Sequence, residues 1–134
     1  MNLRAAVVAA VLVALTPVAP ALAGPPAGDR GDTPDQGLFL TVSGADESWI
    51  RGVRLHCAPE PYGPHPDAKG ACAALARVGG DLDRLAGRSR ACTKRSEPVT
   101  VGADGTWKGR AVDWSRTYGN ACLLDAATGP VFRF

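Results

Sequence analysis

Four cysteines, two histidines and one basic pair are the residues of this 134-residue chain whose chemistry asks for an explanation. Cys57, Cys72, Cys92 and Cys122 could ligate a metal or form two bridges. Zinc sites usually bring two ligands within two to four residues of each other. No two of these cysteines are that close, so disulfides are the reading, with three pairings open. Bridged cysteines leave no thiolate to act as a nucleophile. His56 sits beside Cys57, and His65 stands between prolines in "PHP". Neither lies in a G-x-S-x-G or H-E-x-x-H motif, and both are read as packed or hydrogen-bonded. Phosphate-binding and dinucleotide fingerprints are lacking too. The sequence offers no catalyst, no metal site and no cofactor site. What remains is "RACTKRSEPVTV", residues 90–101, where Lys94-Arg95 follows Cys92 closely. A bond after lysine or arginine in an exposed loop is what trypsin-like proteases cut.

The chain opens "MNLRAAVVAAVLVALTPVAPALAGPP". One cation, Arg4, an apolar run from Ala5 to Leu15 and the small residues Ala21-Leu22-Ala23 have the layout of a secretory signal peptide. The apolar run is too short to span a bilayer, and Pro17 and Pro20 keep it from extending further as a helix. Residues 1–23 are therefore read as a signal peptide, and the mature protein as secreted, extracellular and free of the membrane. Cleavage removes Arg4 alone among the charges, leaving 14 Lys+Arg against 13 Asp+Glu. A balance this even gives no electrostatic footprint for nucleic acid. An even number of cysteines fits an oxidising compartment. The mature length suits one domain with a modest core, which covalent links would support.

Residues 24–36, "GPPAGDRGDTPDQ", hold almost nothing to bury and are read as a disordered arm. The Arg30-Gly31-Asp32 triplet within them is read as chance. Residues 37–134 form the domain. "GLFLTVSG" and "WIRGVRLHC" read as strands joined by a hairpin loop. "APEPYGPHPDAKG" is too rich in turn formers to extend a strand. From Asp67 to Leu85, the spacing of Ala71, Leu75, Val78, Leu82 and Leu85 predicts one helix, weakened at Gly79-Gly80. "EPVTVGADGTWKGRAVDWSRTY" gives two β-type runs about an Ala-Asp-Gly turn, and "PVFRF" a final strand. The fold class is α+β, an antiparallel sheet covered on one face.

"CAPEPYGPHPDAKGACAAL", Cys57 to Leu75, resembles the signature of the subtilisin-inhibitor-like family of secreted bacterial serine protease inhibitors. Cys57, Pro59, Gly63, His65, Pro66, Ala71, Cys72 and Leu75 all fit it. The likeness continues through "VGGDLDRL", "GTWKGRAV" and the terminal "VFRF". It implies a five-stranded antiparallel sheet with two helices packed on one face, paired through the sheets as a homodimer. It also implies the bridges Cys57–Cys72 and Cys92–Cys122, and a reactive bond two residues after the third cysteine. Carried onto this chain, Lys94 is P1 and Arg95 is P1′, within a protease-contacting loop of Ala91, Cys92, Thr93, Ser96, Glu97 and Pro98. The implied partners are trypsin-like and subtilisin-like serine proteases. A cation at Lys94 fits a pocket with a carboxylate at its base.

Many members of the family carry proline at P2, where this chain has Thr93, whose hydroxyl could replace that stiffness by a hydrogen bond within the loop. The basic pair also allows a second register, with Arg95 at P1 and Lys94 at P2, which kexin-like subtilases favour. The spacing from Cys92 favours Lys94 and leaves the other register open to a different enzyme. The competing function is a secreted, disulfide-stabilised binding module without inhibitory action.

Overall fold

The computed structural model describes residues 36–134. The expected signal peptide, residues 24–35 of the expected disordered arm and the Arg-Gly-Asp triplet lie outside the described residues. Gln36, read as the arm's last residue, is tied to the domain, its N–H donating to Thr106 Oγ1 at 3.0 Å. Four strands, β1 (Leu38–Gly44), β2 (Ile50–Leu55), β3 (Val99–Trp107) and β4 (Arg110–Tyr118), form one antiparallel sheet in the order β2-β1-β3-β4. Two helices, α1 (Ala68–Arg77) and α2 (Ala121–Thr128), complete the architecture.

Alternation decides which face is covered. Leu38, Leu40 and Val42 of β1 are buried, as are Val99, Val101 and Ala103 of β3. With a period of two, these residues share one face of the sheet, and Ala71, Cys72, Ala74 and Leu75 of α1 and Leu124 of α2 complete the same core. Phe39 points the other way and is exposed.

Among the described residues the sheet has four strands and not five, and the difference from the expected strand lies at the C-terminus. Gly129–Phe132 is a short 3₁₀ helix beginning in a left-handed glycine, Gly129, and a proline, Pro130. Proline has no N–H to give a sheet ladder. The Val131 carbonyl is instead the partner of His65 Nε2 at 3.0 Å. The apolar run that read as a strand is apolar because Val131 and Phe132 are buried in the core.

The predicted helix from Asp67 to Leu85 is shorter than its pattern. Asp67 caps it, accepting a hydrogen bond from the Gly70 N–H at 2.9 Å. At the other end Gly79 donates to Ala76 and Gly80 to Leu75, both glycines having positive φ. That is a Schellman cap, the usual way a glycine ends a helix. The glycine pair stops the helix rather than weakening its middle, and a separate 3₁₀ turn, Leu82–Arg84, keeps Leu82 in the core.

The β3–β4 turn also sits elsewhere than expected. Ala103-Asp104-Gly105 runs within β3, and the chain reverses at Lys108-Gly109, with φ of 47° and 78°. Two successive positive values match the strand-twisting hairpin turn that favours a glycine at its second position. Gly105 answers a different need: a Cβ there would stand 2.3 Å from the Gly37 carbonyl oxygen.

Both histidines have structural places. His65 is buried, with Nδ1 accepting from the Asp67 N–H at 3.0 Å. Its Nε2 therefore carries the proton and donates to Val131, so one ring joins the start of α1 to the C-terminal segment. His56 stacks on Tyr62 with ring centroids 4.2 Å apart. The bridges are Cys57–Cys72, fixing α1 to the end of β2, and Cys92–Cys122.

Candidate functional site

Between Leu85 and Val99 the chain has no regular secondary structure, yet it is tied to the body repeatedly. The Gly87 N–H donates to the Ala126 carbonyl at 2.9 Å. Arg90 reaches Asp125 at 2.8 Å, and Cys92 is bonded to Cys122. Asn120 Nδ2 donates to the carbonyls of Thr93, at 3.2 Å, and Arg95, at 2.9 Å. The Glu97 N–H donates to the Gly119 carbonyl at 2.9 Å. As the segment advances from 87 to 97 its partners retreat from 126 to 119, so it lies antiparallel along α2. It then enters β3 at the buried Val99, immediately after Pro98, whose fixed φ narrows the approach.

All the residues expected at the site lie together on this segment. Cys92 is partly covered, while Ala91, Thr93, Lys94, Arg95, Ser96, Glu97 and Pro98 are exposed. Arg95 and Glu97 form an ion pair at 3.0 Å, open to solvent on both sides. The support expected from the Thr93 hydroxyl comes instead from that residue's carbonyl, through Asn120.

Asn120 was not singled out by its sequence. It is 7% exposed and occupies the N-cap of α2, where Oδ1 accepts the Leu123 N–H at 2.9 Å. An asparagine ahead of the apolar run "ACLL" is a helix-start signal. Capping fixes the amide: with the oxygen turned to the helix, the NH₂ must face outward, onto the loop. The two roles are one geometry. A second missed group is Asp125, one helical turn and a residue further on, which accepts from Arg133 Nε at 2.8 Å as well as from Arg90. It holds the loop stem, α2 and the C-terminal segment in one cluster.

Burial raises the Asp125 carboxyl, but the guanidiniums of Arg133 and Arg90 outweigh that and hold it below its ordinary value of 3.8. A carboxyl depressed in the folded state adds stability that is present above the unfolded value and lost as pH falls through the folded one. The melting temperature is therefore expected to fall from about pH 4 downward. Asp125→Asn should flatten that part of the curve, which calorimetry across pH 2–6 would measure. An unchanged slope would mean that other carboxylates carry the acid sensitivity.

The fold and site define a small disulfide-bonded α+β domain with an exposed segment tied to its body on either side of one peptide bond. Residues 35–120 match the Subtilisin inhibitor-like family. The chain is similar to subtilisin inhibitor-like protein 5 of Streptomyces fradiae, 46% identical over an alignment of 102 positions that covers 72% of this chain and 95% of the relative. It is also similar to trypsin inhibitor STI2 of Streptomyces longisporus, 41% identical over 119 residues, 85% of this chain and 83% of that one. Among solved structures it is similar to Streptomyces caespitosus sermetstatin, crystallised in complex with Bacillus licheniformis subtilisin. The TM-score is 0.57 at 34% identity, covering 72% of this chain and 96% of that chain. The chain belongs to the subtilisin inhibitor-like family.

Proposed function

We propose that the protein is an exported inhibitor of serine endopeptidases, trypsin-like and subtilisin-like, offering the Lys94–Arg95 bond as a substrate that is not released. One observation carries the reading: a single buried side chain, Asn120, holds the backbone on both sides of that bond. Family membership and the inhibitor names of the relatives support it independently.

The inhibition arises from three properties of the loop. Fixing a free backbone residue costs about 1–2 kcal/mol, so the six residues Cys92–Glu97 held in place beforehand spare roughly 6–12 kcal/mol on docking. That is comparable with the about −12 kcal/mol of a nanomolar complex. Next, the enzyme's serine attacks the Lys94 carbonyl carbon and its histidine passes the proton to the leaving amine of Arg95. Finally, that amine does not leave. The Arg95 carbonyl is held by Asn120 and the Glu97 N–H by Gly119, while Cys92–Cys122 holds the acyl side. The amine stays beside the acyl group, so religation outruns hydrolysis. The long cation of Lys94 directs the loop to pockets with a carboxylate at the base, and broader subtilisin pockets accept its aliphatic stem.

Export rests on the signal-peptide pattern of residues 1–23 together with the two bridges, which persist in oxidising compartments. Pairing into a homodimer would use the outer face of the sheet. Thr41, Ser43, Thr100, Gly102, Ser115 and Thr117 are mostly small at one end of that face, which allows close approach of a second sheet, while the exposed Phe39 at the other end lies between Arg54 and Asp104.

Purified mature protein titrated into trypsin, and separately into subtilisin, tests the reading. A linear fall in activity to a sharp endpoint at one loop per enzyme is expected, with the inhibitor intact in the complex. If both enzymes ignore the protein or steadily digest it, the reading is wrong.

A further inference from the structure

The basic pair gives the loop two possible scissile bonds, after Lys94 and after Arg95, and the structure treats them differently. For a serine protease to act after a residue, its serine must reach that carbonyl carbon and the oxygen must enter the oxyanion hole. The Arg95 carbonyl oxygen is turned toward the body, accepting from Asn120 Nδ2 at 2.9 Å. The Thr93 carbonyl accepts from the same nitrogen at 3.2 Å. Carbonyls two apart that meet one nitrogen face the same way, toward the body. Among the described residues no donor reaches the Lys94 carbonyl. The body thus holds the oxygens on either side and leaves that of Lys94 to the enzyme.

Resting on the inhibitor reading above, we infer that Asn120 sets the cleavage register: it opens the loop to proteases that read one basic residue and closes it to serine proteases that process dibasic pairs. Such a protease places Lys94 in its S2 subsite and Arg95 in S1. To bring the Arg95 carbonyl into the oxyanion hole, the peptide must turn away from Asn120. That strips a nearly buried amide of a partner it cannot replace, a loss of the kind that costs most inside a protein. The Arg95–Glu97 ion pair also engages the guanidinium that S1 would have to take. Both its partners are exposed, so its contribution is small, and the register lies with Asn120.

The test uses trypsin and a kexin-type dibasic protease against the mature protein, with nicked products mapped by mass after reduction. The wild-type protein should titrate trypsin to an endpoint, leave the kexin-type enzyme fully active and yield no product cut after Arg95. Asn120→Asp keeps an oxygen for the Leu123 N–H but has no donor for the loop. Asn120→Ser caps the helix with a shorter side chain. In each, kexin-type cleavage after Arg95 should rise at least tenfold while the rest of the chain stays uncut. Wild-type protein that is inhibitory to the kexin-type enzyme, or is cleanly cut by it after Arg95, overturns the inference. So do folded variants as resistant as the wild type. If a variant is cut throughout the chain, the wild-type arms decide alone. Failure of the inhibitor reading has a separate signature, the absence of a trypsin endpoint for the wild-type protein.

Discussion

Lys94→Ala is expected to weaken trypsin inhibition by about a thousandfold or more while leaving the fold intact. The side chain is exposed, so its removal opens no cavity. In a complex the same side chain would be the most deeply inserted group, with its ammonium against the carboxylate at the base of the pocket. Truncating such an anchor typically costs at least 2 kcal/mol and up to 4–8, and about 1.4 kcal/mol is a factor of ten. A loss near 4 kcal/mol gives the thousandfold figure. Lys94→Arg should stay within about tenfold of the wild type, because the charge remains. Subtilisin, lacking so specific a demand, should respond less to alanine than trypsin does. Inhibition constants measured beside melting temperatures separate the contact from the fold. Undiminished trypsin inhibition by the alanine variant would move P1 away from Lys94.

Removing the Cys92–Cys122 bridge as a serine pair is expected to turn the inhibitor into a substrate. The bridge spans 30 residues and Cys57–Cys72 spans 15. On the chain-entropy account their loss costs about 3–4 and about 3 kcal/mol respectively, so stability alone hardly distinguishes them. Function should. Cys92 is two residues before Lys94, and without its bond the nearest tie on the acyl side of a cleaved loop is one hydrogen bond from Asn120, the Arg90–Asp125 and Gly87–Ala126 ties lying further back. Trypsin activity should dip and then recover within minutes to hours as the loop is consumed. The Cys57→Ser, Cys72→Ser protein should instead keep a lasting endpoint at temperatures where it is folded, since that bridge lies at α1, away from the loop. Lasting inhibition by both variants would place the loop's rigidity in Asn120 and the other non-covalent ties, at Gly87, Arg90 and Glu97.

Much of this fold is legible in the order of residues alone. Strict alternation in "LFLTV" defines a strand with one wet face, and Leu38, Leu40 and Val42 do line the core. The spacing of Cys92 and Lys94, taken with the family likeness, puts the basic pair on the loop that the structure shows. The misreadings share a cause: one residue type can serve several geometries. The Gly79-Gly80 pair fits a weak helix interior or a helix end, and only the 6→1 hydrogen bond from Gly80 to Leu75 decides between them. Gly105 signals a turn by composition, whereas here it admits a neighbouring backbone. "PVFRF" is apolar enough for a strand but is committed to the core through Val131. The eight residues of α2 carry too little periodicity to stand out from the strand-rich segment before them. Asn120 and Asp125 are hidden with it, because their importance depends on facing a loop about 25 to 35 residues earlier in the chain.

The order of the strands has a consequence for the chain as a wiring diagram. β1 and β2 form one hairpin and β3 and β4 another, and Lys94–Arg95 lies on the only stretch of main chain between them. A cut there divides the sheet at its centre, into fragments carrying β2-β1 with α1 and β3-β4 with α2. They remain engaged along the seven residue pairs from Leu38↔Gly105 to Gly44↔Val99, and Cys92–Cys122 staples them across the break. A protein nicked there is therefore a heterodimer of complementary halves, with Lys94–Arg95 as its splice point. Two separately synthesised halves meeting under oxidising conditions would arrive at the same molecule, and a protease that can cut the splice is equally equipped to close it.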